Sequence, residues 1–346
     1  MQENTKITIK PLEPQRCQDW DVYVDTHPQG SFFHLSGWRD VFEKALGHKT
    51  HYLYAECDGR IVGLLPLVHI KSLLFGNSMS SLPFSTYAGT LANDDGIRAS
   101  LEQKAHEIGE DLGVGNIEYR CREAVENDPR QVKLLYECYY KPILPTEDEN
   151  MQAIRGKQRN IIRKGGKKGL EIRSDTVDGF YPVYSESVRN LGTPVFPKRL
   201  FRAIHETFPD NTGFLSACLY DKVISSAMNF YYKDEVCPYY WGGTWEARRL
   251  SGNDFLFWGI LCEAAKQGCK VFNFGRSKKG TGSGQWKVNL GFKPEQLYYR
   301  YDLIRDDTMP ELNPENPKYK YFIAAWKRLP LPLTELIGPH LSVNLG

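Results

Sequence analysis

The sequence predicts an α+β protein built twice on one plan. Three observations carry this. Each half reads as leading helices, an antiparallel hairpin, a strand, a helix and further strands, a repeat of organisation and not of residues. The hairpin stretches alternate apolar and polar residues around turn dipeptides, whereas the helical stretches repeat at three and four. A break with Pro145 and an acidic cluster, "ILPTEDENM", separates the halves. With 346 residues, 41% apolar, there is chain enough for two cores.

The elements follow in order. "ITIKPL" reads as a strand, and "QDWDVYVDTH" and "LSGWRDVFEKALG" read as amphipathic helices. "THYLYAECDGRIVGLLPLVHI" turns at Asp58-Gly59, a strong two-residue hairpin signal. The loop "NSMSSLPFSTYAGTLAND" leads to a helix over about 96–112, and the strands "NIEYRCR" and "YECYYKPIL" close the block. The second half opens with a helix over about 151–168 and the strand "LEIRSD". Helices follow around "FYPVYSESVRNLG" and "PKRLFRAIHETF", then the hairpin "FLSACLYDKVISSAMNFYYKDE". The strand "PYYWGGT", the helix "NDFLFWGILCEAAKQG", the strand "VFNFG", a glycine-rich loop and the strand "QLYYRYDLI" complete it. The expected domains are 1–146, 147–310 and a tail, 311–346, of one helix and Pro-punctuated ends.

Bulk properties exclude several classes. A net charge of +2 excludes a strongly basic nucleic-acid binder and leaves room for a local basic patch. The eight cysteines form no CxxC pair, which argues against a disulfide framework or a structural zinc site and for buried thiols in a reducing cytoplasm. "MQENTKITIKPL" has no signal-peptide apolar run, and no stretch reaches the length of a membrane helix. The expectation is a cytoplasmic protein, with peripheral contact to the inner membrane left open. No nucleophile elbow, no His/Cys nucleophile pair and no metal-binding motif occurs.

The strand–strand–strand–helix–strand order with antiparallel meanders is that of the GNAT acyltransferase fold. "SVRNLGTPVFPKRLFRAIHETF", "GNDFLFWG", "VFNFGRSKKGTGSGQWKVNLGF" and "NPKYKYFIAAWKRLPLPL" resemble the FemAB-like proteins of exosortase/PEP-CTERM systems, over nearly the whole chain. The resemblance implies two tandem GNAT-like acyltransferase domains with a substrate cleft between or along them. It implies transfer of an acyl or aminoacyl group to an amine. The acceptor would be an exopolysaccharide, peptidoglycan or other envelope precursor, lipid-linked or nucleotide-linked. No tightly bound cofactor is expected; acyl-CoA and aminoacyl-tRNA are the candidate cosubstrates. The alternative is a catalytically inactive RNA-binding or scaffold protein of the same machinery.

A GNAT enzyme grips pyrophosphate with an Arg/Gln-x-x-Gly-x-Gly/Ala turn at a helix N-terminus. Arg249-x-x-Gly252 fits the first half, but Asp254 stands where a small residue is needed. Asn253 and Asp254 read as capping residues, Asn253 also as a donor-side candidate. The sequence therefore weakens acetyl-CoA as donor. From Arg155 to Lys168 there are seven cations and no acid. Arg155, Arg159, Arg163 and Lys167 stand four apart and form one stripe. It reads either as a solvated face or as a phosphate track for a tRNA acceptor end or a nucleotide-diphosphate carrier. The Lys-x-Arg-Asn-Ile segment that the resemblance places here is matched by Lys157, Arg159, Asn160 and Ile161. Gly165, Gly166 and Gly169 are expected to loosen the helix end.

The stretch 272–292 holds Gly275-x-x-x-x-Gly280, which has P-loop spacing, but Thr281-Gly282 stand where Lys-Ser/Thr is required. That excludes a nucleoside triphosphatase. A loop without a following helix is expected to bend back and set Trp286 and Lys287 beside Arg276. The resemblance ties the aromatic–Lys pair to catalysis: Lys287 would stabilise the oxyanion and Trp286 would shape the donor pocket. Arg276, with Ser277 and Lys278, would meet phosphate or carboxylate. Tyr240, on the strand "PYYWGGT", is a candidate for binding or proton transfer, and the glycines there allow close approach. On the acceptor side, Arg189, Thr193 and Phe196 occupy a turn-rich loop. "SFFHLSGW" and "LPFSTYAG" supply His34, Trp38, Ser85 and Tyr87. His34 also reads as a cap or packing residue.

Overall fold

The computed structural model describes residues 7–73, 75–310 and 317–345. The first six residues, the start of the tail (311–316) and the side chains of 317–320 lie outside the described residues. The chain divides into two units. One comprises Met1–Leu135, Gln296–Glu311 and Asn344–Gly346; the other comprises Tyr136–Glu295 and Leu312–Val343.

In the first unit, Thr8–Pro11, Leu53–Cys57, Arg60–Leu65 and Leu91–Ala92 form a four-stranded antiparallel sheet in that order. The expected hairpin turns at Asp58 and Gly59, both with positive φ (49° and 75°), as a two-residue turn requires. A six-stranded sheet runs in the order Lys49–Thr50, Val68–Ser72, Gly76–Ser80, Asn116–Cys121, Tyr298–Leu303, Gln131–Lys133. Helix Asp95–Leu112 starts where Asp94 accepts from the Ile97 amide, and it buries Ile97, Leu101 and Ala105 against Ile117 and Tyr119. The stretch read as one amphipathic helix after Leu35 is α-helical only over Trp38–Asp40, then π-helical over Val41–Leu46.

Two strands change places relative to the sequence reading. Tyr136–Pro142, expected to close the first block, pairs with Val271–Lys278 in the second unit. Tyr298–Leu303, expected to close the second, pairs with Asn116–Cys121 in the first. A buried charge cluster holds the latter. Arg300, 1% exposed, donates to Glu102 at 2.6 Å and to Asp128, and Arg130 joins both carboxylates. Burial opposes charge on Asp128, yet hydrogen bonds from Arg130 and Arg300 hold its carboxyl down at about 2. These partners exist only in the first unit, so the strand returns there.

The second unit is a seven-stranded sheet in the order Leu170–Ser174, Thr212–Leu219, Lys222–Tyr232, Glu235–Gly243, Val271–Lys278, Tyr136–Pro142, Lys293–Gln296. On one face, helices Gly156–Lys167 and Gly252–Lys266 pack Ile162, Leu256, Phe257 and Ile260 onto Leu215, Ala227, Val236 and Phe272. On the other, Phe180, Tyr184 and Phe201 of helices Val177–Leu191 and Lys198–Thr207 meet Phe214 and Tyr240. The helix expected from Met151 is two. Thr146 and Glu149 form a capping box that starts Glu147–Gln152, and the basic helix begins afresh at Gly156. Its glycines do not loosen its end: Gly165 lies inside it, buried, where a Cβ would stand 2.8 Å from Cβ of Phe255. Glycine there permits close helix packing.

Arg300→Ala removes the more deeply buried of the two cations that Glu102 and Asp128 share and leaves them to Arg130 alone. It should cost about 3–5 kcal/mol of stability, read by urea denaturation.

Candidate functional site

The site begins where two neighbouring strands part. Glu235–Gly243 and Val271–Lys278 run parallel and pair only at Glu235–Val271 and Val236–Phe272. Beyond that, Glu235–Gly243 stays paired with Lys222–Tyr232, and Val271–Lys278 with Tyr136–Pro142. The facing edges therefore lack each other's ladder bonds. Asn273 bridges the start of the gap: its side chain donates to Glu235 at 2.8 Å and accepts from the Gly275 amide at 2.9 Å.

Gly275 then shifts the alternation. It takes φ 62°, and the register slips between Cys138 and Tyr140 of the partner strand. Phe274 faces the core, against Trp241 and Trp286. Arg276 leaves that face. Its guanidinium lies 4.8 Å from the Tyr136 ring centroid, and its charge reaches Tyr240. Tyr240 is buried among Tyr184, Phe196, Phe201 and Phe230, and burial pushes its phenol well above the usual range. At neutral pH it is a hydrogen-bond donor, not a base. Gly242 makes room for the backbone of helix Val177–Leu191: a Cβ would stand 2.6 Å from Cα of Tyr184.

The stretch after Gly280 is a helix, Gly282–Asn289, and not the expected loop. Thr281 caps it by accepting from the Gly284 amide, and Gly284 is needed because a Cβ would stand 2.5 Å from the Tyr139 hydroxyl. A P-loop stays excluded on new grounds. Arg276, Ser277 and Lys278 are strand residues paired with Cys138, Glu137 and Tyr136, so their backbone does not form a phosphate cradle. The helix turns Lys287 inward, to 7% exposure. Its Nζ donates to the Gly275 and Arg276 carbonyls, both at 3.1 Å, and lies 5.0 Å from the Tyr139 ring and 5.2 Å from the Phe274 ring. Burial lowers its pKa to about 8, and the thiols of Cys138 and Cys237 lie within its electrostatic reach. Cys237 is the first residue beyond the last strand pair, so the cation sits at the root of the gap.

Asp254, which the sequence reading takes as a cap that breaks the pyrophosphate turn, is placed by the structure among the site residues. It and Asn253 are not caps: the N-cap position is Ser251, at φ 64°, with no side-chain cap bond. Asp254 accepts from Nε1 of Trp286 and from Gln158 of the basic helix, both at 3.0 Å. Burial raises its pKa, and those two bonds oppose the rise. Asn253 accepts from Ser225 at 2.6 Å and from Trp241 at 3.1 Å.

The remaining candidates fall into groups. Lys157 is exposed and Arg159 half-buried on the basic helix; Arg159 donates to the Gln152 carbonyl and Arg155 to Asn289. Ser277 is buried and accepts from Ser283 at 3.2 Å, while Lys278 ends its strand. Phe196 packs on Tyr240, whereas Thr193 is exposed. Arg189 donates to the Leu329 carbonyl at 3.1 Å, which holds the C-terminal segment. In the first unit, Trp38 is core: its indole donates to the Phe32 carbonyl and its ring packs on Phe32, Phe33 and Phe42. Ser85 is buried and closes its own turn onto the Leu82 carbonyl at 2.6 Å. His34 accepts from Ser31 at Nδ1 and donates from Nε2 to the Gly89 carbonyl at 3.0 Å, a capping role. Neither Trp38 nor Ser85 presents a free polar group. His34 and Tyr87 do line one cavity of about 110 Å³, with Arg122 stacked 5.8 Å over Tyr87.

Residues 151–288 match the model of the acetyltransferase (GNAT) domain. The fold is similar to that of FemX (TM-score 0.65, 12% identity, 86% of this chain and 98% of that one). It is also similar to a tandem GNAT protein of the clavulanic acid biosynthesis pathway (0.58, 11%, 86% and 99%). A third likeness is to the C-terminal domain of a putative lysylphosphatidylglycerol synthetase from Agrobacterium fabrum (0.55, 13%, 83% and 91%). At these identities the likeness is one of fold. No curated protein matches the chain. The domain match and the fold point to an acyltransferase, and GNAT domains typically draw on an acyl-CoA cosubstrate. Among the described residues, no helix is long and apolar enough to cross a membrane, and no group of His, Cys, Asp and Glu could hold a metal.

On the expectation that Lys287 stabilises the oxyanion, Lys287→Met should fold and lose about 100-fold or more in turnover, the usual scale for one such donor. Because burial has already lowered its pKa, wild-type kcat should fall as pH rises through about 8, where the ammonium loses its proton. A kcat–pH profile checks both.

Proposed function

We propose that the chain transfers an aminoacyl or acyl group to an amine of an envelope precursor, by direct attack without a covalent enzyme intermediate. The donor's acyl end lies along the gap between strands Glu235–Gly243 and Val271–Lys278, where the two edges no longer bond each other and the backbone can orient it. The amine nitrogen attacks the ester or thioester carbonyl, the carbon–oxygen or carbon–sulfur bond breaks, and the amine's proton passes to the leaving group through water. Lys287 supplies positive charge near the developing oxyanion. Trp286, fixed by Asp254, walls the donor side; Tyr240 donates a hydrogen bond; Arg276 meets a substrate phosphate or carboxylate, flanked by Ser277 and Lys278.

The observation that carries the choice of donor is Asp254. Its carboxylate occupies the first turn of helix Gly252–Lys266, the position at which a GNAT domain holds a CoA pyrophosphate. Negative charge there repels the pyrophosphate. The neighbouring basic helix, held to Asp254 through Gln158, offers Lys157, Arg159 and their companions as a phosphate track instead. An aminoacyl-tRNA end is the donor this arrangement suits best. Acyl-CoA is the second reading, favoured by the acetyltransferase domain match. On the acceptor side we assign the cavity at His34 and Tyr87 to a sugar or phosphate group, and Phe196 and Thr193 to shaping the approach to Tyr240. The acceptor belongs to an exopolysaccharide or peptidoglycan-type precursor in the cytoplasm, in keeping with the exosortase-associated resemblance.

Binding titrations with acetyl-CoA and with charged tRNA test this. Wild type should prefer tRNA, with a salt slope that flattens in Lys157→Gln/Arg159→Gln. Asp254→Ala restores the small residue of the pyrophosphate turn and should tighten acetyl-CoA about tenfold or more, a gain of about 1.4 kcal/mol. Tight wild-type binding of acetyl-CoA with none of tRNA would reverse the choice of donor.

A further inference from the structure

The C-terminal helix, Leu331–Ser342, is inside out. Its buried positions are Thr334, Gly338 and Ser342, four apart and small. Ser342 donates to the Val195 carbonyl at 2.9 Å, and a Cβ at Gly338 would stand 2.9 Å from the Val195 nitrogen. The large apolar residues point the other way: Leu333, Leu336 and Ile337 are 38%, 67% and 38% exposed. A helix that only packs on its own domain turns its large apolar side chains inward. Here that pattern is reversed.

The surroundings extend the surface. Helix Pro317–Trp326 buries Trp326 and exposes Tyr321 (85%) and Phe322 (44%). Leu191, at the end of helix Val177–Leu191, is 71% exposed. Contacts tie these pieces together: Gly192 packs against Ile323 and Lys327, and Arg189 binds the Leu329 carbonyl. Charge then selects the partner. Lys327 and Arg328 are exposed at the junction of the two helices. Glu335 is the single acidic residue from Pro317 to Gly346, and it is half-buried with its charge acting on Tyr181. Among the described residues of these two helices, the outward face thus combines apolar side chains with cations, and the one acid, Glu335, acts on Tyr181.

We propose that this face docks on an anionic membrane surface. Leu333, Leu336 and Ile337 dip into the boundary between headgroups and acyl chains, and Lys327 and Arg328 pair with lipid phosphates. The helix lies on the bilayer and does not cross it. A second copy is the poorer occupant, because a two-fold contact through this face would bring the same cations of both copies into one apolar interface.

Co-sedimentation with vesicles of phosphatidylglycerol and phosphatidylcholine tests the proposal without any turnover, so it stands or falls apart from the transfer reaction. Wild type should sediment with the mixed vesicles, less so as salt rises, and not with phosphatidylcholine alone. Leu336→Glu/Ile337→Glu should weaken binding about tenfold or more, with an unchanged melting temperature, since both side chains already face water. Lys327→Glu/Arg328→Glu should weaken it and remove the salt dependence. Absence of binding to the mixed vesicles, equal binding to phosphatidylcholine, or undiminished binding by Leu336→Glu/Ile337→Glu would overturn the proposal. So would a wild-type dimer in sedimentation velocity that this variant dissolves, which would make a second copy the occupant.

Discussion

The parting of strands Glu235–Gly243 and Val271–Lys278 after two residue pairs is the constraint on which the second unit depends. Backbone groups on the facing edges lose the partners that a continuous ladder would supply, and buried backbone groups need partners. The chain answers with side chains. Asn273 takes the Gly275 amide and reaches across to Glu235. Lys287 takes the Gly275 and Arg276 carbonyls. The bulge at Gly275 then carries Arg276 out of the core to the side of Tyr240. Fold and site are one arrangement here, because the groups that make the gap tolerable also furnish it.

A buried lysine is costly unless its charge is well served. Two carbonyls and two ring faces serve Lys287, yet burial still lowers its pKa to about 8. The ammonium therefore keeps its charge at neutral pH with little margin. Its helix is held from the other side by the Trp286–Asp254 bond, and Asp254 in turn holds the basic helix through Gln158. One carboxylate thus couples the wall of the gap, the cation at its root and the candidate phosphate track.

Much of this was legible in the sequence because it is local. Asp58-Gly59 names its own turn, and the period of the apolar residues gives the long helices. What was not legible depends on distance or on exact contacts. The strand containing Arg300 returns to the first unit for the sake of Glu102 and Asp128, partners about 170–200 residues away in the chain that no local pattern announces. Helix Gly282–Asn289 was read as a loop since its glycines have poor helix propensity; the Tyr139 hydroxyl beside Gly284 explains one of them. Thr146 and Glu149 spell a capping box, but Pro145 drew attention to the break and not to the helix it precedes. Among the site residues, strand order alone placed Tyr240 and Arg276 in neighbouring segments. Trp38 and Ser85 were over-read, because a short polar or aromatic motif does not reveal whether its polar atom is already bonded within the fold.

Hydrogen exchange across the gap tests the central claim most directly. A non-reacting donor analogue, such as a tRNA end carrying an amide-linked amino acid, should slow exchange at amides of 237–243 and 273–278, the edges that face the gap. Analogue binding that leaves both segments unchanged, while protecting amides elsewhere in the second unit, would contradict it.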